Sequence, residues 1–237
     1  MTRQHFPLDR LRALSYIGAC ALLASCVPRL APLVTLVLVP EDPAHALVWT
    51  QRTLPGRDTA IRFHFRYEDR RRRWGGRGTA RVAPPDSLRF DYAGALGLGV
   101  GAAVVVGDSA LWADPEENFR SLVPAVRMLW AALGVVRPPD AGARVAGVAV
   151  PPRTIWRFVE GTDTLDYVAT DSSPRTLEAE WRREGRVLAR SRTELDGRAQ
   201  PTKARIDFPE ARARFELTVV GVDTAAVFAP SLWRSRR

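Results

Sequence analysis

Thr59-Ala60-Ile61-Arg62-Phe63-His64-Phe65-Arg66-Tyr67-Glu68 alternates along its whole length. Ile61, Phe63, Phe65 and Tyr67 fall on one face, and Arg62, His64, Arg66 and Glu68 on the other. Successive side chains of a strand point to opposite faces, so this period of two predicts a strand with one face in a core and the other in water. The pattern returns in Ser87–Ala93 (Leu88, Phe90, Tyr92), in Thr176–Arg183 (Leu177, Ala179, Trp181) and in Ala211–Val220 (Phe215, Leu217, Val219). Arg77–Ala83, Ala102–Val106, Ser109–Ala113, Thr154–Val159, Thr164–Thr170, Arg186–Leu195 and Arg198–Phe208 read as further strands. Gly107-Asp108, Gly161, Glu184-Gly185 and Asp196-Gly197 supply the turns, while Arg70 to Arg73 with Gly75-Gly76 reads as a loop. Strands joined by turns this close together predict an antiparallel meander rather than a parallel α/β sheet.

One segment breaks the strand pattern. Leu122, Val126, Leu129 and Leu133 recur at helical spacing, with Trp130 beside them and Arg127 as the one charge between. Asp114-Pro115-Glu116-Glu117 reads as a helix start ahead of it, and Gly134 with Pro138-Pro139 as its stop. A helix so apolar has to lie against another apolar surface. Upstream of the first strand, Pro28, Pro32, Pro40 and Pro43 punctuate a loose stretch. It reads as a tether with a weakly held apolar piece, Leu33 to Val39, and a lead-in, Ala46 to Leu54.

At the start of the chain, Arg10 and Arg12 precede an apolar run from Ala13 to Ala24, which closes in Leu23-Ala24-Ser25-Cys26. Basic residues, an apolar segment and a small-residue cleavage site make a bacterial export signal. A Cys at the cut resembles a lipobox, in which Cys26 becomes an acylated N-terminus. Each buried acyl methylene holds such a protein to a bilayer by about 0.8 kcal/mol. An uncleaved membrane anchor is the other reading, but Pro28, Arg29 and Pro32 interrupt the apolar run.

The chain has 237 residues, a net charge of +9 and 46% hydrophobic residues, which suits one folded domain rather than a disordered chain. Lys203 is the one Lys among 35 basic residues. So lopsided a usage says little about a partner, and the export signal argues against nucleic acid. The two Cys are Cys20, in the signal, and Cys26, so no disulfide is expected inside the domain. His45 and His64, with no Cys partner, do not make a zinc site, and no metal or cofactor is expected. Gly97 to Gly101 lies between strands and lacks the following helix that a dinucleotide loop needs.

The order of lipobox, tether, strands, the stretch Pro84-Pro85-Asp86-Ser87-Leu88-Arg89-Phe90-Asp91, the loop Gly94-Ala95-Leu96-Gly97, an apolar helix and a long meander resembles the LolA/LolB-like superfamily, most nearly its LolB-like outer-membrane lipoproteins. The resemblance implies a mainly β fold: a strongly curved antiparallel sheet, an incomplete β-barrel, covered by one or more short apolar helices. It implies a signal peptide over 1–25, a tether over 26–45 and a half-barrel domain over 46–233. It also implies a non-enzymatic lipoprotein of the outer membrane, anchored through Cys26 and facing the periplasm. Such a protein binds acyl chains of lipoproteins or other lipids in a concave apolar cavity, with a periplasmic carrier protein as partner. Leu96 takes the place of the family's protruding loop-tip Leu, although Ala95 stands where the family has Pro.

Leu122, Val126, Leu129, Trp130 and Leu133 are then candidates for a lid helix. Held by non-directional contacts, the lid is expected to yield to an equally apolar lipid chain. Phe63, Phe65, Phe90, Tyr92, Val104, Trp156, Trp181 and Phe215 are candidates to line the cavity, or they are simply sheet core. Two other functions stand beside this one. The first is a structural or adaptor lipoprotein that keeps the fold without lipid transfer. The second is an envelope hydrolase using Asp163 with Asp166 or Glu178 with Glu180, although these pairs fall on polar strand faces where solvated surface is expected.

Overall fold

The computed structural model describes residues 30–95, 99–116 and 125–234. The chain divides into two compact units, Met1–Ala31 and Pro32–Arg237. Of the first, only residues 30–31 are described and they carry no regular structure. Cys26, Leu96 and Leu122 lie outside the described residues, as does the signal stretch.

The second unit is mainly β. Its strands are β1 (Val39–Pro40), β2 (Thr59–Glu68), β3 (Arg73–Ala83), β4 (Ser87–Gly94), β5 (Val100–Val106), β6 (Ser109–Asp114), β7 (Arg144–Val150), β8 (Arg153–Glu160), β9 (Asp163–Thr170), β10 (Arg175–Arg183), β11 (Arg186–Leu195), β12 (Pro201–Phe208) and β13 (Ala213–Asp223). All 13 join one antiparallel sheet in the order β1-β7-β8-β9-β10-β11-β12-β13-β2-β3-β4-β5-β6. The meander is thus cut once and rejoined, with β13 lying against β2. β1 and β6 end the sheet, which does not close into a barrel. Two described α-helices accompany it, α1 (Pro43–Gln51) and α2 (Val126–Ala132).

The concave face holds the core. Phe63, Phe65, Tyr67, Phe90, Phe158, Tyr167, Phe215 and Leu217 all point into it and are buried. Glycines on this face lie beneath aromatic rings of the paired strand. Gly78 pairs with Phe63, Gly101 with Tyr92 and Gly147 with Trp156, and a Cβ at Gly78 would come within 2.4 Å of the Phe63 ring. Omitting the Cβ lets the ring lie flat on the backbone and the sheet bend sharply. Register shifts in β10, β11, β13 and β5 add local twist.

The convex face is built from matched charge. In one row across neighbouring strands stand Arg157, Asp166, Glu180, Arg190, Asp207, Arg214, Glu68 and Arg73. Arg157 donates to Asp166 at 2.6 Å, Arg190 to Glu180, Arg214 to Asp207 at 2.9 Å and Arg73 to Glu68 at 2.8 Å. Where opposite charges face each other across strands they favour this register, and the like pair Asp166 and Glu180 is bridged by Arg182.

Several local expectations are corrected. Gly75 and Gly76 belong to β3, which starts at Arg73. The glycines are accommodated because a Cβ at Gly76 would sit 2.0 Å from the Ala93 carbonyl oxygen. The lead-in Ala46 to Leu54 is mostly helix α1. Asp42 caps it by accepting from the Ala44 N–H at 2.8 Å, and Pro43 occupies its first turn. Within the stretch read as a tether, Val39–Pro40 pairs with β7, and Leu33, Val34 and Leu38 pack on Ile155 and Val168.

Asp166 and Glu180 are not solvated. Both are fully buried, because residues 33–34 cross the convex face above them. The Leu33 N–H donates to Glu180 at 3.2 Å, and Arg157 donates to the Val34 carbonyl oxygen at 3.4 Å. Arg182 reaches both acids, Asp166 at 2.6 Å and Glu180 at 3.2 Å. Removing one partner of such a cluster leaves charge buried without its counter-ion. Glu180→Ala is therefore expected to cost about 3–5 kcal/mol. Glu178→Ala, two residues away beside the exposed Arg192, is expected to cost about 1 kcal/mol or less. Urea unfolding of the two variants checks the contrast, and equal losses would contradict it.

Candidate functional site

The concave sheet wraps α2, which packs on β10, β11 and β12. Met128, Leu129, Trp130, Ala131 and Ala132 are fully buried, Leu133 nearly so and Val126 half-buried. The helix is also tied by directional bonds. Trp130 Nε1 donates to the Gly107 carbonyl oxygen at 2.9 Å, and Thr193 Oγ1 to that of Ala131 at 2.8 Å. Just past the helix end, the Val136 N–H donates to Thr53 Oγ1 at 2.9 Å, which joins this segment to the end of α1. Gly134, at φ +81°, takes the left-handed conformation that stops the helix.

Near the start of α2, Arg127 meets three carboxylates: Asp108 at 2.8 Å, Glu160 at 2.6 Å and Asp140 at 2.9 Å. Burial works against its charge, but these acids hold the guanidinium well above its usual range. Arg137 lies over the Trp130 ring at 5.3 Å. The expectation of a lid held only by non-directional contacts is thus corrected. Displacing α2 would break hydrogen bonds and strand a charge whose partners are partly buried.

Space remains beside α2. A cavity of about 740 Å³ opens where α1, the segment after α2 and the ends of β9 to β13 meet the start of β2. Its floor is apolar: Ile61, Val82, Leu177, Leu195, Leu133 and Val135. Trp49 and Leu54 flank it, and Arg52, Arg57, Arg175, Arg198 and Asp171 stand around it. Openings of this size, apolar with a few polar groups, are the usual form of small-ligand sites.

Of the predicted lid residues, Leu133 borders this cavity. None of the eight predicted lining residues does. Phe63, Phe65, Phe90, Tyr92 and Phe215 instead fill the concavity against one another. Phe63 stacks on Phe90 at 5.3 Å and Phe65 on Phe215 at 5.9 Å. Trp156 packs on Trp49 at 6.0 Å, and Trp181 is half-buried beneath Arg183. Val104 is on the other side of the sheet altogether. It pairs with Arg89 and Trp112, while its neighbours Ala103 and Val105 join the core.

The cavity residues were missed because most of them sit at strand ends and in turns, where alternation stops. The turn signal Asp196-Gly197 marks one of the loops that form it. The candidate acid pairs are committed elsewhere. Asp163 binds Arg183 at 2.7 Å, Asp166 binds Arg157 and Arg182, Glu178 binds Arg192 and Glu180 binds Arg190. The hydrolase reading therefore loses the residues proposed for it. Among the described residues no group of His, Cys, Asp and Glu is placed to hold a metal ion, and no helix is long and apolar enough to cross a membrane.

The fold is shared with solved structures. One is a LolA superfamily protein from Nitrosomonas europaea, with a TM-score of 0.54 and 12% identity, covering 84% of this chain and 99% of that one. Another is a domain assigned to outer membrane lipoprotein sorting from Vibrio parahaemolyticus, with a TM-score of 0.52 and 6% identity, covering 79% of this chain and 94% of that one. No family model matches the chain, and no curated protein matches its sequence. The likeness read from the sequence is therefore one of fold.

Tyr167 lies beside the site, in ring contact with Trp49 at 6.4 Å and Phe158 at 5.5 Å. It is buried, its hydroxyl has no hydrogen-bond partner, and burial pushes its phenol pKa up. The unfolded chain ionises this group near pH 10, before the folded one does. Its contribution to stability is thus complete below about pH 10 and is lost as the pH rises toward the folded value. Tyr167→Phe is expected to leave the melting temperature unchanged or raise it at neutral pH, and to flatten the fall in stability above about pH 10. Melting curves across that range check both, and a lower Tm at neutral pH would show that the hydroxyl is bonded after all.

Proposed function

We propose that this chain is a non-enzymatic envelope lipoprotein that holds an acyl chain in the cavity beside α2. The observation that carries the reading is the cavity itself: about 740 Å³ with an apolar floor, opening at one end of a sheet that does not close. An acyl chain entering it replaces water on Ile61, Val82, Leu177 and Leu195 and leaves the bonds of α2 intact. The shared fold with a domain assigned to lipoprotein sorting is in keeping with such a cargo.

In this reading Cys26 carries the lipid anchor, on the periplasmic side of the outer membrane. Tethering raises the local concentration of the cavity near its membrane. A periplasmic carrier would hand over the acyl chain, with Leu96 as a tip in the β4–β5 connection.

Displacement of a fluorescent fatty-acid analogue from the purified chain tests the reading. Saturable binding is expected, weakened about tenfold or more in Leu177→Asp, which puts a charge on the apolar floor that the acyl chain would cover. Absence of saturable binding in the folded protein would favour the structural or adaptor role instead. Cys26→Ser is expected to move the protein from the membrane fraction to the soluble one.

A further inference from the structure

The cavity has an apolar floor and a rim with an excess of positive charge. Arg52, Arg57, Arg175 and Arg198 border it, and the one bordering carboxylate among the described residues, Asp171, is paired with Arg175 at 2.8 Å. Arg52, Arg57 and Arg198 are exposed, and none of the ion pairs among the described residues includes them. They arrive from separate segments. Arg52 caps the end of α1, Arg57 lies in the connection to β2, and Arg198 lies in the β11–β12 turn. On the convex face the opposite holds, with guanidinium set against carboxylate in the row from Arg157 to Arg73.

We propose that the cavity selects an anionic single-chain amphiphile: one hydrocarbon chain that ends in a carboxylate or a phosphate. This rests on the reading of the cavity as an acyl-chain site and adds what the chain must carry. A tail on Ile61, Val82 and Leu177 places its head among three cations that pair with no acid among the described residues. A guanidinium presents paired N–H donors that fit either a carboxylate or a phosphate, so an anionic head gains charge-assisted hydrogen bonds that a neutral head cannot make. The space favours a single chain. α2 fills the rest of the concavity and is bonded in place, so the ligand is confined to the remaining opening of about 740 Å³.

The test is a comparison of matched probes on the purified chain, each below its micelle concentration: dodecanoate, dodecyl phosphate, neutral dodecanol and inorganic phosphate. The variant Arg52→Gln/Arg57→Gln/Arg198→Gln changes exposed side chains alone and is compared with the wild type. Either anionic probe is expected to bind about tenfold more tightly than dodecanol at low salt, with the advantage shrinking as salt screens the rim. In the triple variant the advantage is expected to vanish while dodecanol affinity holds. The ratio of dodecanoate to dodecyl phosphate then tells a carboxylate head from a phosphate head.

Equal affinity of dodecanol and the anions for the wild type would overturn the head-group selection and leave the acyl-chain site standing. Inorganic phosphate competing as well as dodecyl phosphate would show that the tail contributes nothing and overturn the amphiphile. Binding of none of the dodecyl probes would remove the acyl-chain site itself, and this inference with it.

Discussion

An antiparallel sheet that curves without closing cannot cover its own concave face, and everything else in this structure answers that constraint. β1 and β6 end the sheet unpaired with each other, so the aromatic face between them needs a foreign surface. Part of it is covered by rings packed on rings, as in Phe63 with Phe90 and Phe65 with Phe215. The remainder is covered by α2, whose Met128 to Ala132 are removed from water entirely. Burial on that scale is the main favourable contribution to folding, so α2 belongs to the core as fully as any strand.

The two faces of the sheet are specified by different physics. The concave face depends on shape, with glycine beneath aromatic rings where the backbone has to come close. The convex face depends on charge, with Arg and acid residues matched across neighbouring strands. A slip of one residue would move the aromatics into water and the Arg residues into the core. The Arg-rich composition thus has a structural use, since many guanidiniums are engaged in cross-strand pairs. The segment at residues 33–34 extends this scheme by covering Glu180 and Asp166 with backbone groups as well as side chains.

The polar ties of α2 bear directly on function. A plug resting on apolar contacts alone could be exchanged for a lipid chain at little cost. Here the Trp130 and Thr193 hydrogen bonds and the three carboxylates around Arg127 hold the helix in place. The space for a ligand is therefore what the helix leaves free, at the end of the sheet where loops rather than strand centres form the walls.

Most of the strands, their antiparallel pairing with chain neighbours and the apolar helix were legible in the sequence, whereas β1, β7 and the pairing of β13 with β2 were not. Period-two alternation and close turns are local properties that a strand carries whatever lies beside it, as Thr59–Glu68 shows. The sequence also held the cap of α1 in Asp42-Pro43, a signal that the surrounding prolines obscured. Which aromatics pack solid, that Val104 faces away from the core, and that Asp166 and Glu180 are buried depend on the assembled sheet. The tertiary structure alone decided where the cavity lies. Burial of a polar strand face depends on what crosses it, and a cavity is set by the packing of segments far apart in the chain. Neither quantity is a property of any one stretch of residues.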